Sequence, residues 1–185
     1  VGKIESEYSI YFDDINSGWH PDDSRKNCNF IPDDIHEWIK DRIHQYLQTL
    51  RVNYMGIRTS SAWINDYKAK EYNPSHIHSG SSGFHTDPLQ RKTWQVGLGT
   101  LMGLKIPEDM GKEITNDGEV PMRRNGCTEF ISNSTTGQFV NGIITHRLQR
   151  NELFIFPYDM VHLCWPHFNE KETRRTCNLN VDVLL

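Results

Sequence analysis

The sequence predicts a mainly β protein with one flanking helix, and three observations support this fold class. Aromatic residues make up 11% of the 185 residues and include five tryptophans, and such side chains pack well on pleated sheets. Runs of alternating apolar and polar residues recur from Tyr54 to the C-terminus, which is typical of half-buried strands. A three- and four-residue apolar repeat in residues 33–51 indicates one amphipathic helix.

The length and charge are those of one ordinary domain. The chain has 20 basic and 24 acidic residues, which gives a formal net charge of −4. This near balance lacks the basic footprint of a nucleic-acid-binding protein. We expect a single domain over residues 1–185, in which residues 1–53 form an N-terminal strand and helix support and residues 54–185 form the β core.

Cysteine spacing and hydropathy indicate the compartment. The four cysteines, Cys28, Cys127, Cys164 and Cys177, form no C-x-x-C pair, so a zinc knuckle is not expected. A chain of this length does not need disulfides, and we expect reduced thiols in a cytoplasmic protein. No apolar run reaches membrane-spanning length, and the start, at Val1 rather than Met, has no signal-peptide pattern.

The helix is predicted to cover one face of a sheet. Asp33 and Asp34 stand at its start, where carboxylates cap free amides and meet the positive end of the helix dipole. Its two histidines, His36 and His44, are expected at the surface. The apolar stripe consists of Ile35, Trp38, Ile39, Ile43, Tyr46, Leu47 and Leu50.

The predicted strands follow one another with turn signals between them. Three glycines in residues 94–106 indicate kinks or the close approach of a neighbour, and Asn141-Gly142 is a hairpin signal. Residues 79–92, rich in Gly and Ser, predict a lid or specificity loop, and the charged residues 108–125 predict an exposed connection. The strands are predicted at residues 7–12, 59–67, 72–78, 94–106, 127–131, 138–140, 143–148, 153–156 and 174–183.

His76 and His78 are the strongest chemical signal in the chain. Residues i and i+2 of a strand face the same side, so the two imidazoles could bind one metal ion together. A third imidazole could come from His162 if the sheet closes into a barrel. An isolated His-x-His is more often a surface or core pair, so the prediction depends on its combination with other motifs.

Three segments together resemble the non-haem Fe(II), 2-oxoglutarate-dependent dioxygenases of the prolyl-hydroxylase type. The first resembles their tyrosine- and proline-bearing strand that ends in His-x-Asp. The second, residues 151–157 followed by His162, resembles their Gly-Asp-Leu segment with its distal histidine, and the third, Arg174-x-Thr176, resembles their Arg-x-Ser motif. They occur in the family's order over about two-thirds of the chain. The residues of the first segment are Tyr67, Tyr72, Pro74, His76 and His78.

The resemblance implies a double-stranded β-helix, or jelly roll, with helices packed on one side. It also implies Fe(II) and 2-oxoglutarate as cofactors, with O₂ and an unidentified substrate as partners. Arg174, Thr176 and Tyr67 are assigned to 2-oxoglutarate, whose tail carboxylate a planar guanidinium can fork with two hydrogen bonds. Arg175 should point the other way, although a one-residue slip in register would exchange the two arginines.

His78 stands where the family has a carboxylate ligand, and three ligand sets stay open. In the first, His76, His78 and His162 form an all-imidazole site. In the second, Asp87 supplies the carboxylate, or His85-x-Asp87 is itself the metal motif. In the third, His78 lies behind the ligands and water completes the site. Imidazole suits several divalent metals.

Three classes of function are compatible with these patterns. The leading hypothesis is an oxygenase that hydroxylates a C–H bond with release of succinate and CO₂. The alternative is a cupin-like metal-binding jelly roll without oxygenase activity, which would need neither Arg174 nor a keto acid. A zinc hydrolase with three histidines and a metal-bound water ranks last, because no general base is evident near the ligands.

Overall fold

The computed structural model describes residues 2–11, 29–78, 96–115, 118–120, 124–132 and 142–184. These ranges contain one helix, α1 (Asp33–Thr49), and thirteen strands. Within them, no helix has the length and apolar character needed to cross a membrane. The strands are β1 (Gly2–Lys3), β2 (Ser6–Tyr11), β3 (Asn29–Phe30), β4 (Gly56–Tyr67), β5 (Glu71–His76), β6 (Val96–Lys105), β7 (Glu113–Thr115), β8 (Gly118–Val120), β9 (Thr128–Ile131), β10 (Ile143–His146), β11 (Leu153–Pro157), β12 (Val161–Cys164) and β13 (Arg174–Leu184).

Two facing sheets form a jelly roll, which confirms the predicted fold class. The larger sheet has the order β11-β6-β13-β4-β2-β3 and the smaller the order β1-β5-β12-β9-β10, while β7 and β8 form a separate hairpin. All strand pairs are antiparallel except β1 with β5 and β2 with β3. Leu101 of β6 packs with Phe130 of β9 and Phe156 of β11 in an apolar cluster between the sheets.

The side chains of β13 alternate between polar and apolar, and successive side chains of a strand point to opposite faces of the sheet. The larger sheet therefore has a polar face and an apolar face along β13. The even-numbered residues from Arg174 to Asp182 are polar, and they face the smaller sheet: Arg174 contacts Thr128, and Asn180 contacts His78. The odd-numbered residues from Cys177 to Val183 are apolar and pack under α1 on the other side of the larger sheet. This apolar core includes Ile39, Ile43, Leu47, Cys177, Leu179, Val181 and Val183.

The position of α1 matches the prediction, but its surroundings differ in two respects. Pro32 is the N-cap, and no side chain caps the first turn, so the expected capping by Asp33 or Asp34 is wrong. His36 is buried, with Nε2 hydrogen-bonded to Thr59 Oγ1 of β4 at 2.9 Å, so its expected surface position is also wrong. A polar ring is tolerated there because β4 supplies a hydrogen-bond partner.

The segment expected to be an exposed connection, residues 108–125, includes buried residues and a strand pair among the positions that the structure describes. It contains β7 and β8, and Met110 and Asn125 within it are buried. Asn125 Nδ2 donates to Gly111 O at 2.9 Å, so the segment is held by its own polar groups. The predicted strand at 138–140 lies outside the described residues.

Two glycines of β6 let neighbouring side chains approach the backbone, as the sequence predicted. A Cβ on Gly97 would overlap the ring of Tyr158. A Cβ on Gly99 would lie 2.6 Å from the Phe156 ring and 2.9 Å from Nδ1 of His78. The missing side chains therefore leave room for three rings between the sheets.

A Gly97→Ala variant is expected to be destabilised by about 3 kcal/mol, the upper range for overpacking a core. The Tyr158 ring cannot move away freely, because its hydroxyl donates to Asp182 Oδ1 at 3.1 Å. Urea denaturation of the wild type and the variant measures the effect. Gly56→Ala is the matched control, since a Cβ there meets only Leu184 Cδ1 at 3.8 Å. Equal stabilities of the two variants would contradict the close approach of Tyr158.

Candidate metal centre

Three histidines that the sequence singled out converge between the two sheets. His76 ends β5, His78 follows two residues later, and His162 of β12 stands opposite His76 in the antiparallel ladder. The ring centroids of His76 and His162 are 4.2 Å apart, and His78 lies 4.8 Å from His162 and 5.4 Å from His76. One nitrogen from each ring lies within 4.8 Å of the other two. Two atoms bound to one ion at about 2.0–2.1 Å are at most about 4.2 Å apart, so a small movement of the rings would bring the three nitrogens around a single ion.

Each imidazole of this triad has its Nδ1 atom hydrogen-bonded to an oxygen acceptor. Because a carbonyl oxygen only accepts, Nδ1 carries the proton, and Nε2 presents its lone pair. Metal-binding histidines are typically oriented in this way, by a hydrogen bond from the ring nitrogen that does not bind the metal. The acceptors are Pro74 O for His76 (2.7 Å), Met160 O for His162 (3.0 Å) and Asn180 Oδ1 for His78 (2.6 Å).

Burial keeps two of these rings neutral. Burial, with smaller contributions from the neighbouring His76 and His78, lowers the pKa of His162 to about 4. Burial also lowers the pKa of His78. Both rings are therefore in the metal-binding form near pH 7. Aromatic neighbours contribute to the dry surroundings, with Phe156 4.6 Å from His162 and Trp63 5.6 Å from His78, measured between ring centroids.

The donor set is compatible with a transition metal. Imidazole suits iron, zinc, copper and nickel, and all three rings can offer Nε2 without breaking a hydrogen bond. Within the described ranges, no aspartate or glutamate joins the triad. Asp87, the alternative carboxylate ligand, and His85 lie outside the described residues. The geometry presented here is therefore that of an all-imidazole site.

Arg174 lies on the polar side of β13 with only 1% of its surface exposed. Its Nη2 donates to Thr128 Oγ1 at 3.3 Å, and its guanidinium carbon lies over the Tyr67 ring, 4.9 Å from the centroid. Its Nε and Nη1 atoms are buried and have no hydrogen-bond partner among the described residues. Arg175 points outward and forks Asp66 at 2.6 and 2.7 Å. The register thus places Arg174, and not Arg175, in the interior.

Arg174 contacts β9, the strand of the smaller sheet that pairs with β12 at His162. The Arg174 guanidinium contacts Thr128 of β9. Phe130, two residues further along β9, pairs with His162 of β12. Two strand residues span about 7 Å, a length comparable with that of an extended five-carbon dicarboxylate. A buried guanidinium with unpaired N–H groups is costly unless an anion completes its bonding. The arrangement therefore suits an acid that reaches from Arg174 to a metal at the triad.

Thr176 and Tyr67 are buried beside Arg174. Thr176 Oγ1 accepts from Asn178 Nδ2 at 3.5 Å, and the Tyr67 hydroxyl accepts from Asn65 Nδ2 at 3.3 Å. Burial raises the pKa of Tyr67, so its hydroxyl keeps its proton and can donate to an anion. The two hydroxyls add neutral polar groups to the space around the guanidinium.

Sequence reasoning missed several polar residues of this interior, among them the buried Thr128 and Asn178 and the half-buried Asn180. A signal existed for two of them, because every even position from Arg174 to Asp182 is polar. Such an alternation is typical of a strand with one face in solvent, and only the burial of these residues in the structure shows that the polar face lies inside. The sequence around Thr128 shows no such pattern. Its contact with Arg174 depends on how β9 of the smaller sheet packs against β13 of the larger one.

Comparisons with known proteins identify the architecture. No protein-family model matches the chain, and no curated protein matches it at a significant level. The viral collagen prolyl hydroxylase of Paramecium bursaria Chlorella virus-1, solved in complex with 2-oxoglutarate, aligns with a TM-score of 0.52 and 14% identity over 84% of this chain and 78% of that one.

Two bacterial structures align with lower scores. An oxidoreductase of the 2OG-Fe(II) oxygenase family from Burkholderia pseudomallei gives a TM-score of 0.47 and 6% identity over 75% of this chain, which spans 50% of that protein. A prolyl-4-hydroxylase from Pseudomonas putida gives 0.46 and 11% over 82% of this chain, which spans 64% of that protein.

The viral structure and the sheet order agree on one fold. Two facing sheets, with α1 outside the larger one, align with the viral protein over most of both chains. At 14% identity this likeness concerns the fold alone. The chain is a double-stranded β-helix protein, a jelly roll with the fold of the viral prolyl hydroxylase.

Proposed function

We propose that the protein is an Fe(II)- and 2-oxoglutarate-dependent oxygenase that hydroxylates a substrate not yet identified. One observation carries this proposal: three imidazoles share an interior with the buried guanidinium of Arg174, whose hydrogen bonding the described residues leave incomplete. A jelly roll that only binds a metal has no use for such an arginine. Its burial without an anion costs stability, so a function that requires the anion accounts for it.

Each residue of the site has a defined role in this proposal. His76, His78 and His162 hold Fe(II), and Arg174 binds the far carboxylate of 2-oxoglutarate, with Thr176 and Tyr67 beside it. When bound, iron and 2-oxoglutarate supply an oxidation that consumes O₂, converts the keto acid to succinate and CO₂, and turns a substrate C–H bond into C–OH. The aromatic rings around the triad exclude water from this space.

The charges of the site favour a dianionic co-substrate. The three imidazoles are neutral ligands, so the full charge of a divalent ion remains, and the Arg174 guanidinium adds another positive charge. No carboxylate from the described residues offsets these charges at the triad. In a dry site such charges attract strongly, and the two carboxylates of 2-oxoglutarate can compensate for most of them.

The choice of 2-oxoglutarate has one further support. The viral prolyl hydroxylase with the same fold was solved with this keto acid bound. Two residues of β9, about 7 Å of strand, separate Thr128, which contacts Arg174, from Phe130 opposite His162, and this length is comparable with that of a five-carbon dicarboxylate. 2-Oxoglutarate is therefore the first acid to test.

A binding experiment tests the proposal without knowledge of the substrate. Nickel-loaded protein is titrated under anaerobic conditions with 2-oxoglutarate and, separately, with glutarate, which lacks the keto group. We expect 2-oxoglutarate to bind and raise the melting temperature, and glutarate to bind more weakly because it cannot chelate the ion. Iron-loaded protein with O₂ and candidate substrates should then form succinate. Metal binding without any response to 2-oxoglutarate would instead favour the cupin-like alternative.

A further inference from the structure

The three imidazoles are anchored in two different ways. His76 and His162 donate to backbone carbonyls two residues earlier in the chain, Pro74 O and Met160 O. Their orientation is therefore built into the backbone next to them. His78 instead donates to a side chain, Asn180 Oδ1, 102 residues away, at 2.6 Å.

The backbone of His78 is fixed independently of Asn180. Its N–H donates to Tyr158 O at 2.9 Å, and the Tyr158 N–H donates to Gly97 O at 3.0 Å. These bonds locate the Cα of His78, but they leave its ring free to rotate. The remaining control over the ring comes from its side-chain neighbours.

Asn180 is well placed to exert that control. It lies opposite Gly99 in the ladder between β13 and β6, and the absent side chain of Gly99 leaves room for the His78 ring. The backbone carbonyl oxygen of Asn180 accepts from Ser60 Oγ at 3.2 Å. The backbone of Asn180 is thus fixed at the wall against which the His78 ring rests.

The direction of this hydrogen bond decides whether His78 can bind a metal through Nε2. With Oδ1 as acceptor, the proton is on Nδ1, and Nε2 has a free lone pair. The opposite amide orientation would donate to Nδ1 and place the ring proton on Nε2, which could not then ligate.

We propose that Asn180 is the positioning residue that fixes the tautomer and rotation of His78, and thereby completes the three-imidazole site. This inference rests on the metal centre of the proposed function, but not on oxygenase activity. A neutral amide at this position also orients the ring without adding negative charge to a site that must accept an anion. An aspartate would orient the ring equally well but would repel the dicarboxylate.

Zinc binding to Asn180 variants tests the proposal. Asn180→Leu, which keeps the size but removes the acceptor, should lower Zn(II) affinity roughly 10- to 100-fold, the usual effect of losing a partner of a ligating histidine. Asn180→Asp should retain or increase Zn(II) affinity and weaken 2-oxoglutarate binding. Asn178→Leu is the matched control, since Asn178 lies on the same face of β13 and contacts Thr176; its Zn(II) affinity should equal that of the wild type.

Imidazole tautomers give a second, independent measurement. Long-range ¹H–¹⁵N spectra of the chelator-treated wild type should show the His78 proton on Nδ1. In Asn180→Leu only the His78 signals should change, while His76 and His162 keep theirs. If Asn180→Leu does not fold, the wild-type spectrum alone decides.

Three results would overturn the inference. They are wild-type Zn(II) affinity in folded Asn180→Leu, equal losses in Asn180→Leu and Asn178→Leu, and a His78 proton on Nε2 in the wild type. If the wild type binds no Zn(II), the metal centre itself fails, whereas failure of the Asn180 variants alone leaves the metal centre intact.

Discussion

Replacement of Arg174 by methionine is expected to weaken 2-oxoglutarate binding strongly, leave metal binding intact and stabilise the ligand-free protein. Loss of a buried charged partner should cost about 3 kcal/mol of binding, or roughly 100-fold in Kd. The ligand-free protein should gain about 1–2 kcal/mol, because a buried guanidinium with two unpaired groups gives way to an apolar chain of similar length. Calorimetric titration and urea denaturation measure the two effects.

Arg175→Met provides the matched control for Arg174. It removes the neighbouring arginine, but on the outer side, where the guanidinium forks Asp66. We expect unchanged 2-oxoglutarate binding and a change in stability within about 1 kcal/mol, as for other surface ion pairs. If the two variants bind 2-oxoglutarate alike, Arg174 is not its anchor.

Replacement of His162 by alanine is expected to remove metal binding. The two remaining imidazoles should bind Zn(II) or Fe(II) with an affinity at least about 100-fold lower. Loss of a residue that only hydrogen-bonds a ligand already lowers metal affinity about 10- to 100-fold. In the wild type, metal at 100 times its Kd should add about 2.7 kcal/mol to the free energy of unfolding. The variant should lose this gain, and metal titration followed by thermal denaturation measures it.

His146→Ala controls for the loss of a histidine as such. His146 Nε2 lies 3.0 Å from Glu152 Oε2, and its side chain is 41% exposed, so it takes no part in the triad. This variant should bind metal like the wild type. An undiminished metal-induced stabilisation in His162→Ala would place the metal elsewhere.

Local patterns predicted the parts of the structure that depend on short stretches of sequence. The 3.6-residue period identified α1, and the alternation of residues 174–183 identified β13. The glycines of β6 also indicated close neighbours correctly. We propose that residues 1–185 form one domain as expected, because β1 and β2 of the N-terminal segment pair with β5 and β4.

Features that depend on long-range packing could not be predicted. β5 ends at His76, so the same-face rule for strands does not apply to His78. That ring reaches the others because its backbone bonds to Tyr158. The burial of His36 depends on Thr59, 23 residues away. The contact of Arg174 with Thr128 joins strands of opposite sheets, and no local pattern in residues 128–131 reveals it.

The bonded Nδ1 atoms of the triad have a consequence for how the protein acquires its ion. Since each ring is already oriented by an oxygen of the polypeptide, folding can be completed before metallation. The apoprotein should therefore be a stable species that takes up, releases and exchanges divalent ions without unfolding, and the ion that it carries in a cell would be set by supply as much as by affinity.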